Sequence, residues 1–398
     1  MIPRALGART AILTFLPALL VFIALWPIAR PVEGVGDTFQ FWYAGHLLAT
    51  GGSPYDQSAW HAASALYGPI ADNVARNCGD ANALVCVWAY PPLTAWLFAP
   101  FGVLPVGLGL FAVNAFVLVT LVAGTVAAVL FFGPREPGPR ALVLAAAAAG
   151  HPFVIDIRAG HFVGLLLLAV VAIAYGLRER PTWPVAAGAI LLALKPHVAL
   201  VLGLAVPIVL AARAAWRAIA SIAMVLGAVV ALALLRSPES VDAIIGRGTA
   251  KAGIAWSTSW ALADASGAPV VALLGIAVVA ISAAALAIRS ASLARRDLTT
   301  VAVSAAVSLV ITPYAQPYDF LLVLPALALA AAAATSLRPP ARTLVLALVA
   351  LCWIGGTWGP IVFGQLARTV APAYAAMPLI ALVLLAIAVR QHAASSRG

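Results

Sequence analysis

Long apolar runs recur along the whole chain and are separated by short polar segments. Stretches such as 141–149 are continuously apolar, which excludes the alternating pattern of a membrane β-barrel. Because about 20 residues of helix cross the hydrocarbon core of a bilayer, the runs predict membrane-spanning helices. These spans are placed at about 11–29, 106–132, 141–157, 162–177, 183–195, 196–212, 218–235, 268–289, 298–313, 318–336, 343–362 and 374–390.

A shorter apolar segment, 90–104, is bounded by Pro91, Pro92 and Pro105. It fits a re-entrant helix, an interfacial helix or a true span. The total is therefore about 10–13 transmembrane helices. The predicted fold class is an all-α polytopic membrane protein with a single membrane domain over 1–398.

Composition agrees with this fold class. Hydrophobic residues make up 64% of the chain and charged residues 9%, whereas a soluble domain carries roughly a quarter charged residues. The net charge of +10 does not indicate a nucleic-acid partner, because most basic residues lie in short loops between apolar runs. The first apolar run resembles a signal peptide but lacks a small-residue cleavage site, so we expect an uncleaved first helix.

The distribution of charge predicts the orientation. With the N-terminus inside, the inner loops hold most of the arginines, and the outer loops hold slightly more acidic than basic residues. We therefore expect a multi-pass protein of the bacterial inner membrane whose site faces the periplasm. Two outer loops are long, at 30–89 and 236–267.

The first outer loop is expected to contain short helices near 38–50 and 56–66. Its run of Phe39, Phe41 and Trp42 suits a helix that lies at the membrane surface. Cys78 and Cys86 share this loop. If the loop is periplasmic, the oxidising compartment permits a disulfide between them, and free thiols are the alternative.

Asp37 is the first candidate for chemistry. It follows the first span, glycines flank it and aromatic residues follow it. A partly desolvated carboxylate at the membrane boundary is a competent general base for a hydroxyl. The alternative is an ordinary helix N-cap, since Asp is a favoured residue there.

Two further groups of candidates interrupt apolar runs. In the first, Asp156 and Arg158 are expected to pair, and His161 either donates to a phosphate or sugar or has no role at the interface. In the second, Lys195 and His197 flank a proline. A helix broken by proline inside a membrane protein lines a cavity, where a lysine attracts an anionic headgroup.

The remaining candidates lie in the outer segments. Basic groups beside tryptophan in the second loop suit a phosphate with a sugar ring or lipid, and interfacial anchoring is the alternative. A kinked polar segment with two prolines opens a late span, and an aromatic Pro-Pro turn marks the end of the first loop. These candidates are Arg247, Lys251, Trp256, Gln316, Tyr318, Asp319 and Tyr90.

Several of these motifs together resemble glycosyltransferase family 87. Enzymes of this family use polyprenyl-phosphate sugars, have the C-type glycosyltransferase architecture and include mannosyltransferases. The matching stretches occur in the family's order over most of the chain, at 37–45, 52–56, 90–93, 160–166, 194–197 and 312–319.

The resemblance implies that Asp37 is the catalytic base of an inverting glycosyltransferase of glycolipid biosynthesis. A hexose or pentose, with mannose as the first candidate, would move from a polyprenyl-phosphate donor to a hydroxyl of a lipid or glycan acceptor. The donor phosphate would be held by Lys195, Arg158, Arg247 and Lys251. No cofactor is expected, although a divalent metal at Asp37 and a second carboxylate stays open.

Two other functions are alternatives. A transporter or flippase of a lipid-linked or small polar substrate predicts ionisable residues deep in the bilayer. The polar candidates instead fall on the outer side of the predicted topology. A non-enzymatic assembly factor explains the membrane helices but not the polar residues among them.

Overall fold

The structure is a computed structural model, and it describes residues 8–31, 37–71, 88, 90–179, 182–243, 259–260, 263, 266–312, 314–364 and 373–395. Every regular element in these ranges is a helix. The helices are α1 (Ala8–Ala29), α2 (Thr38–Ala49), α3 (Gln57–Tyr67), α4 (Pro92–Gly102), α5 (Val106–Phe132), α6 (Pro137–Ala149), α7 (His151–Ala159), α8 (Val163–Glu179), α9 (Thr182–Leu192), α10 (Leu200–Ala212), α11 (Trp216–Arg236), α12 (Pro269–Ser290), α13 (Arg296–Ile311), α14 (Leu324–Ala334), α15 (Pro339–Gly364) and α16 (Ala373–Ser395).

Six of the described helices are long and apolar enough to cross a membrane, and the bent pair of α6 and α7 adds a seventh. The prediction of an all-α polytopic membrane protein is therefore confirmed. Shorter apolar helices at Thr182–Leu192 and Pro196–Ala212 do not reach that length. The larger total of about 10–13 spans, which counts such helices, stays a prediction.

The centre of the bundle is the span Pro317–Ala334, which begins with a 3₁₀ segment, Pro317–Val323, and continues as α14. In this span 94% of the residues are buried, against 11% in the span of α1 and 11% in α11. The outer helices thus present apolar side chains to lipid, whereas the central span packs against protein on all sides. Of the polar residues that open it, Tyr318 and Asp319 are consequently buried, and Gln316 is half-buried.

The span predicted at 141–157 is bent by 47° where α6 meets α7. Gly150 has an extended backbone there, and Pro152 lies in the first turn of α7. Proline has no N–H and fits best at a helix start, so α7 begins as a new helix. A Cβ at Gly150 would overlap the indole of Trp353 from α15, which accounts for the glycine at this bend.

The two helices predicted in the first outer loop are present as α2 and α3. The reason given for α2 is corrected, because its aromatic residues are not turned to the membrane surface. Phe41 is fully buried and stacks on Phe98 of α4 with ring centroids 4.7 Å apart. The aromatic face of α2 therefore packs on protein, where it buries apolar area as a core helix does.

The segment predicted at 90–104 forms α4, whose 11 residues extend about 16 Å. That is too short to cross a hydrocarbon core of about 30 Å. It lies instead against α2, and the two backbones meet at Gly45 and Gly102. A Cβ on either glycine would overlap the backbone of the other helix, so small residues are required at this crossing.

We expect Gly102→Ala to lower the free energy of unfolding by about 1–3 kcal/mol, because the added methyl group forces α2 and α4 apart. Gly107→Ala is the matched control, since a Cβ at Gly107 in α5 meets nothing within 4 Å. Thermal denaturation of the two variants in detergent tests this. Equal stability of Gly102→Ala and Gly107→Ala would contradict the close crossing.

Candidate active site

The turn between α7 and α8 positions Asp37. The backbone N–H of Asp37 donates to the carbonyl of Ala159 over 2.6 Å. Gly160 follows with φ of +67°, and a Cβ there would overlap the hydroxyl of Thr38. Glycine is needed both for the left-handed conformation and for this contact. The start of α2 is thereby anchored to the turn that carries His161.

Asp37 occupies the N-cap position of α2, but its side chain makes no capping hydrogen bond. Asp56 in the same loop behaves differently. It caps α3 by accepting from the backbone N–H of Ser58 over 2.9 Å, and hydrogen bonds from the Ser58 hydroxyl and backbone lower the pKa of Asp56. The carboxylate of Asp37 therefore does not cap α2, which was the alternative role predicted from the sequence.

His161 lies inside a stack of aromatic rings and is fully buried. Its ring is nearly parallel to that of Tyr318, with centroids 4.0 Å apart, and it also stacks on Phe162 at 4.7 Å. His161 Nε2 and the Tyr90 hydroxyl share a hydrogen bond of 2.9 Å. Tyr90 and His161, two of the predicted substrate-binding residues, thus belong to one packed aromatic group. His161 is therefore not an exposed histidine at the membrane interface.

Beneath this stack, Lys195 and Asp319 form a buried ion pair. The Nζ of Lys195 lies 2.6 Å from Oδ1 of Asp319, and their side chains are 1% and 0% exposed. The second carboxylate oxygen of Asp319 accepts from the backbone N–H of Gln316 over 2.9 Å. The ammonium also lies 4.6 Å from the ring centroid of Tyr318, a cation–π contact. The Lys195–Asp319 pair therefore contacts Tyr318, the residue on which His161 stacks.

Lys195 lies at a break between α9 and α10, and neighbouring helices satisfy the backbone groups that the break frees. The hydroxyl of Thr94 in α4 donates to the Leu194 carbonyl over 2.9 Å. The hydroxyl of Ser308 in α13 accepts from the N–H groups of Val201 and Leu202 over 3.0 and 3.2 Å. Such partners are what a broken helix within a membrane protein requires.

Asp156 was expected to pair with Arg158, and that expectation is wrong. Asp156 is fully buried, and its carboxylate makes no ion pair with Arg158; the backbone N–H of Val163 interacts with it instead. Residues two positions apart on a helix do not face each other, so Arg158 is turned away and half-buried. Asp156 instead interacts electrostatically with Lys195 and Asp319. From the sequence, Asp156 could be matched only with its near neighbour Arg158, and its proximity to Lys195 and Asp319 could not be predicted.

The structure thus brings most of the predicted site together. Asp37 is close enough to Tyr318 for an electrostatic interaction with its hydroxyl. Gln316 donates from its side chain to the Tyr314 hydroxyl over 2.7 Å, and the ring of His197 lies 5.7 Å from that of Tyr314. Five candidates fall outside the described residues, namely Arg247, Lys251, Trp256, Cys78 and Cys86.

Sequence reasoning missed the residues that support the site from neighbouring helices. Thr94 and Ser308 lie in apolar runs, and nothing in their spacing links them to the break at Lys195. Within the described ranges, no three His, Cys, Asp or Glu side chains are grouped so that they could hold a metal ion. The described part of the candidate site therefore offers a carboxylate, an imidazole, phenols and a buried ion pair as its functional groups.

A family model, "Glycosyltransferase family 87", matches residues 88–313, which is more than half of the chain. The chain belongs to glycosyltransferase family 87. This confirms the resemblance found in the sequence, and it makes the protein a membrane glycosyltransferase. Searches of curated proteins and of solved structures found no match. The family 87 match covers Tyr90, His161 and Lys195, and the fold packs them against Tyr318 and Asp319, which lie beyond it.

We expect Lys195→Met to destabilise this family 87 protein by about 3–5 kcal/mol, because it leaves Asp319 buried without its partner. Adding Asp319→Asn removes the uncompensated charge and keeps an acceptor for the Gln316 N–H. The double variant should regain at least half of the lost stability. Thermal denaturation of the single and double variants measures the coupling, and additive effects would contradict the pair.

Proposed function

We propose that this glycosyltransferase moves a sugar from a polyprenyl-phosphate donor to a hydroxyl of a lipid or glycan acceptor. Mannose is the first candidate sugar, and the periplasmic face of the bacterial inner membrane is the proposed location. The observation that carries the proposal is the setting of Asp37. Its backbone N–H donates to the turn that carries His161, and its carboxylate does not cap α2.

In the proposed step, Asp37 takes the proton of the acceptor hydroxyl as its oxygen attacks the anomeric carbon. The bond between the sugar and the lipid phosphate breaks, and the phosphate leaves with the bonding electrons. A single displacement of this kind inverts the anomeric centre. A half-buried carboxylate suits the role, because it is poorly solvated yet reachable from outside.

The leaving phosphate needs positive charge close by. Among the described residues, Arg158 is half-buried and can contact a phosphate directly. Lys195 is buried against Asp319, so its proposed contribution comes through the field of the ion pair and the Tyr318 ring that it supports. Arg247 and Lys251 of the second outer loop are proposed as further phosphate ligands.

The aromatic group beside Asp37 supports a sugar substrate. Tyr90 is half-buried and can present its ring to a sugar, while His161 and Tyr318, also proposed as substrate-binding residues, are buried and hold Tyr90 through its hydrogen bond to His161. His197, Gln316, Asp319 and Trp256 complete the proposed set of substrate-binding residues. A lipid-linked donor is supported by the apolar outer helices, along which a polyprenyl chain reaches this end of the bundle.

We expect Asp37→Asn to lower turnover by about 10²–10⁴-fold, because the amide cannot accept the acceptor's proton. The assay incubates the detergent-purified protein with a panel of polyprenyl-phosphate sugars and a lipid extract, and measures release of polyprenyl phosphate. Asp56→Asn is the matched control. It changes a carboxylate in the same loop but keeps a side-chain acceptor for the α3 cap, so its turnover should stay unchanged.

Asp37→Asn that turns over as fast as the wild type would rule out the proposed base. A folded wild type that releases no lipid phosphate from the whole panel would exclude the proposed donor class. Loss of turnover in both Asp37→Asn and Asp56→Asn would mean that the first loop, rather than one carboxylate, is what the reaction needs.

A further inference from the structure

A concave site lies at the far end of the bundle from the candidate active site. The cavity, of about 470 Å³, is enclosed by the end of α8, the start of α9, the end of α10, the start of α11 and the start of α13. Its walls combine apolar side chains such as Leu210 and Ile222 with Arg178, Arg213 and Asp297. Its volume is in the range of sites that hold small ligands.

Two helices show that this cavity is separate from the candidate active site. Helix α8 begins two residues after His161 and runs for 17 residues to Glu179. At a rise of 1.5 Å per residue, it places its two ends about 25 Å apart. Helix α10 follows the break at Lys195 and likewise ends at the cavity. In the predicted orientation this end faces the cytoplasm.

The end of the bundle around the cavity carries more basic than acidic side chains. Arg213 pairs with Asp297 and also donates to the Leu177 carbonyl. Arg178 adds a second guanidinium to the walls, and its partner is Glu179 at 3.4 Å, in a pair whose side chains are both more than a third exposed. Burial first, and then the nearby charges of Arg135 and Arg178, lower the pKa of Arg295, so Arg178 has two further cations close to it beyond the cavity walls. An anion placed here would relieve the repulsion among these cations.

The surroundings place the cavity at the depth of lipid headgroups. Trp183 and Trp216 flank it and are 72% and 63% exposed, and exposed tryptophans are typical of the membrane–water boundary. Further along the outer surface, Leu204, Ile208 and Met224 are exposed apolar side chains of α10 and α11. An amphiphile with its head in the cavity would lay its chains over these residues.

We propose that this cavity binds the phosphate of an anionic phospholipid. Arg178 and Arg213 contact the phosphate, the walls hold the glycerol, and the acyl chains pack on α10 and α11. Basic pockets between transmembrane helices are the usual sites for such headgroups. The site does not depend on the proposed transfer reaction, and its occupation can be measured without a sugar donor.

The test titrates the detergent-purified full chain with phosphatidylglycerol or with phosphatidylcholine of identical acyl chains, and follows the midpoint of thermal denaturation. Phosphatidylglycerol should raise the midpoint more than phosphatidylcholine does. Inorganic phosphate and glycerol 3-phosphate form a separate arm, in which we expect no comparable rise, because the chains supply part of the binding.

Two variants break the same ion pair but change the cavity charge in opposite directions. Arg213→Gln should weaken the apparent affinity for phosphatidylglycerol about fivefold, and Asp297→Asn should strengthen it by a similar factor. A purely structural pair would make both variants respond alike. Arg342→Gln is the matched control, because Arg342 is 36% exposed against 35% for Arg213 and pairs with Glu136 at 3.0 Å outside the cavity.

Equal responses to the two lipids would overturn the proposal. The same direction of change in Arg213→Gln and Asp297→Asn would also overturn it, as would an equal loss in Arg342→Gln. A rise produced by inorganic phosphate alone would assign the cavity to a free anion and not to a lipid.

Discussion

The buried ion pair of Lys195 and Asp319 is the interaction on which the rest of the site depends. A lone charge inside a membrane protein is costly, so each partner requires the other. The pair joins the break between α9 and α10 to the entrance of the central span. It thereby fixes Tyr318, on which His161 stacks, and His161 in turn bonds to Tyr90. Through the α7–α8 turn, the same arrangement sets the position of Asp37.

Breaks in helices are the means by which this apolar bundle creates polar space. The chain bends at Gly150, breaks at Lys195 and enters the central span through a 3₁₀ segment after Gln316. Each break frees backbone groups that lipid cannot satisfy, and hydroxyls on adjacent helices supply the partners at Lys195. This family 87 protein thus combines a membrane scaffold of apolar helices with a compact group of buried polar and aromatic side chains.

The helices could be predicted from the sequence because burial in lipid imposes long apolar runs, and the boundaries agree within a few residues along most of the chain. The candidate residues could be recognised because charged groups are rare in such a chain. What the sequence could not show was pairing over distance. It suggested Asp156 with its near neighbour Arg158, whereas the real ion pair joins residues 124 positions apart. The aromatic face of α2 was predicted to lie at the membrane surface but packs on protein. An amphipathic pattern does not show whether lipid or protein covers the apolar face.

That separation of 124 positions has a consequence for biosynthesis. A ribosome adds about 5–20 residues per second, so Lys195 is made roughly 6–25 seconds before Asp319 exists. During this interval the lysine has no carboxylate from the central span, and its flexible stem lets the ammonium reach toward the headgroups. The α9–α10 break therefore settles into its final depth late, when the ribosome has already passed most of the chain. Membrane insertion and the assembly of the candidate active site are thus separated in time.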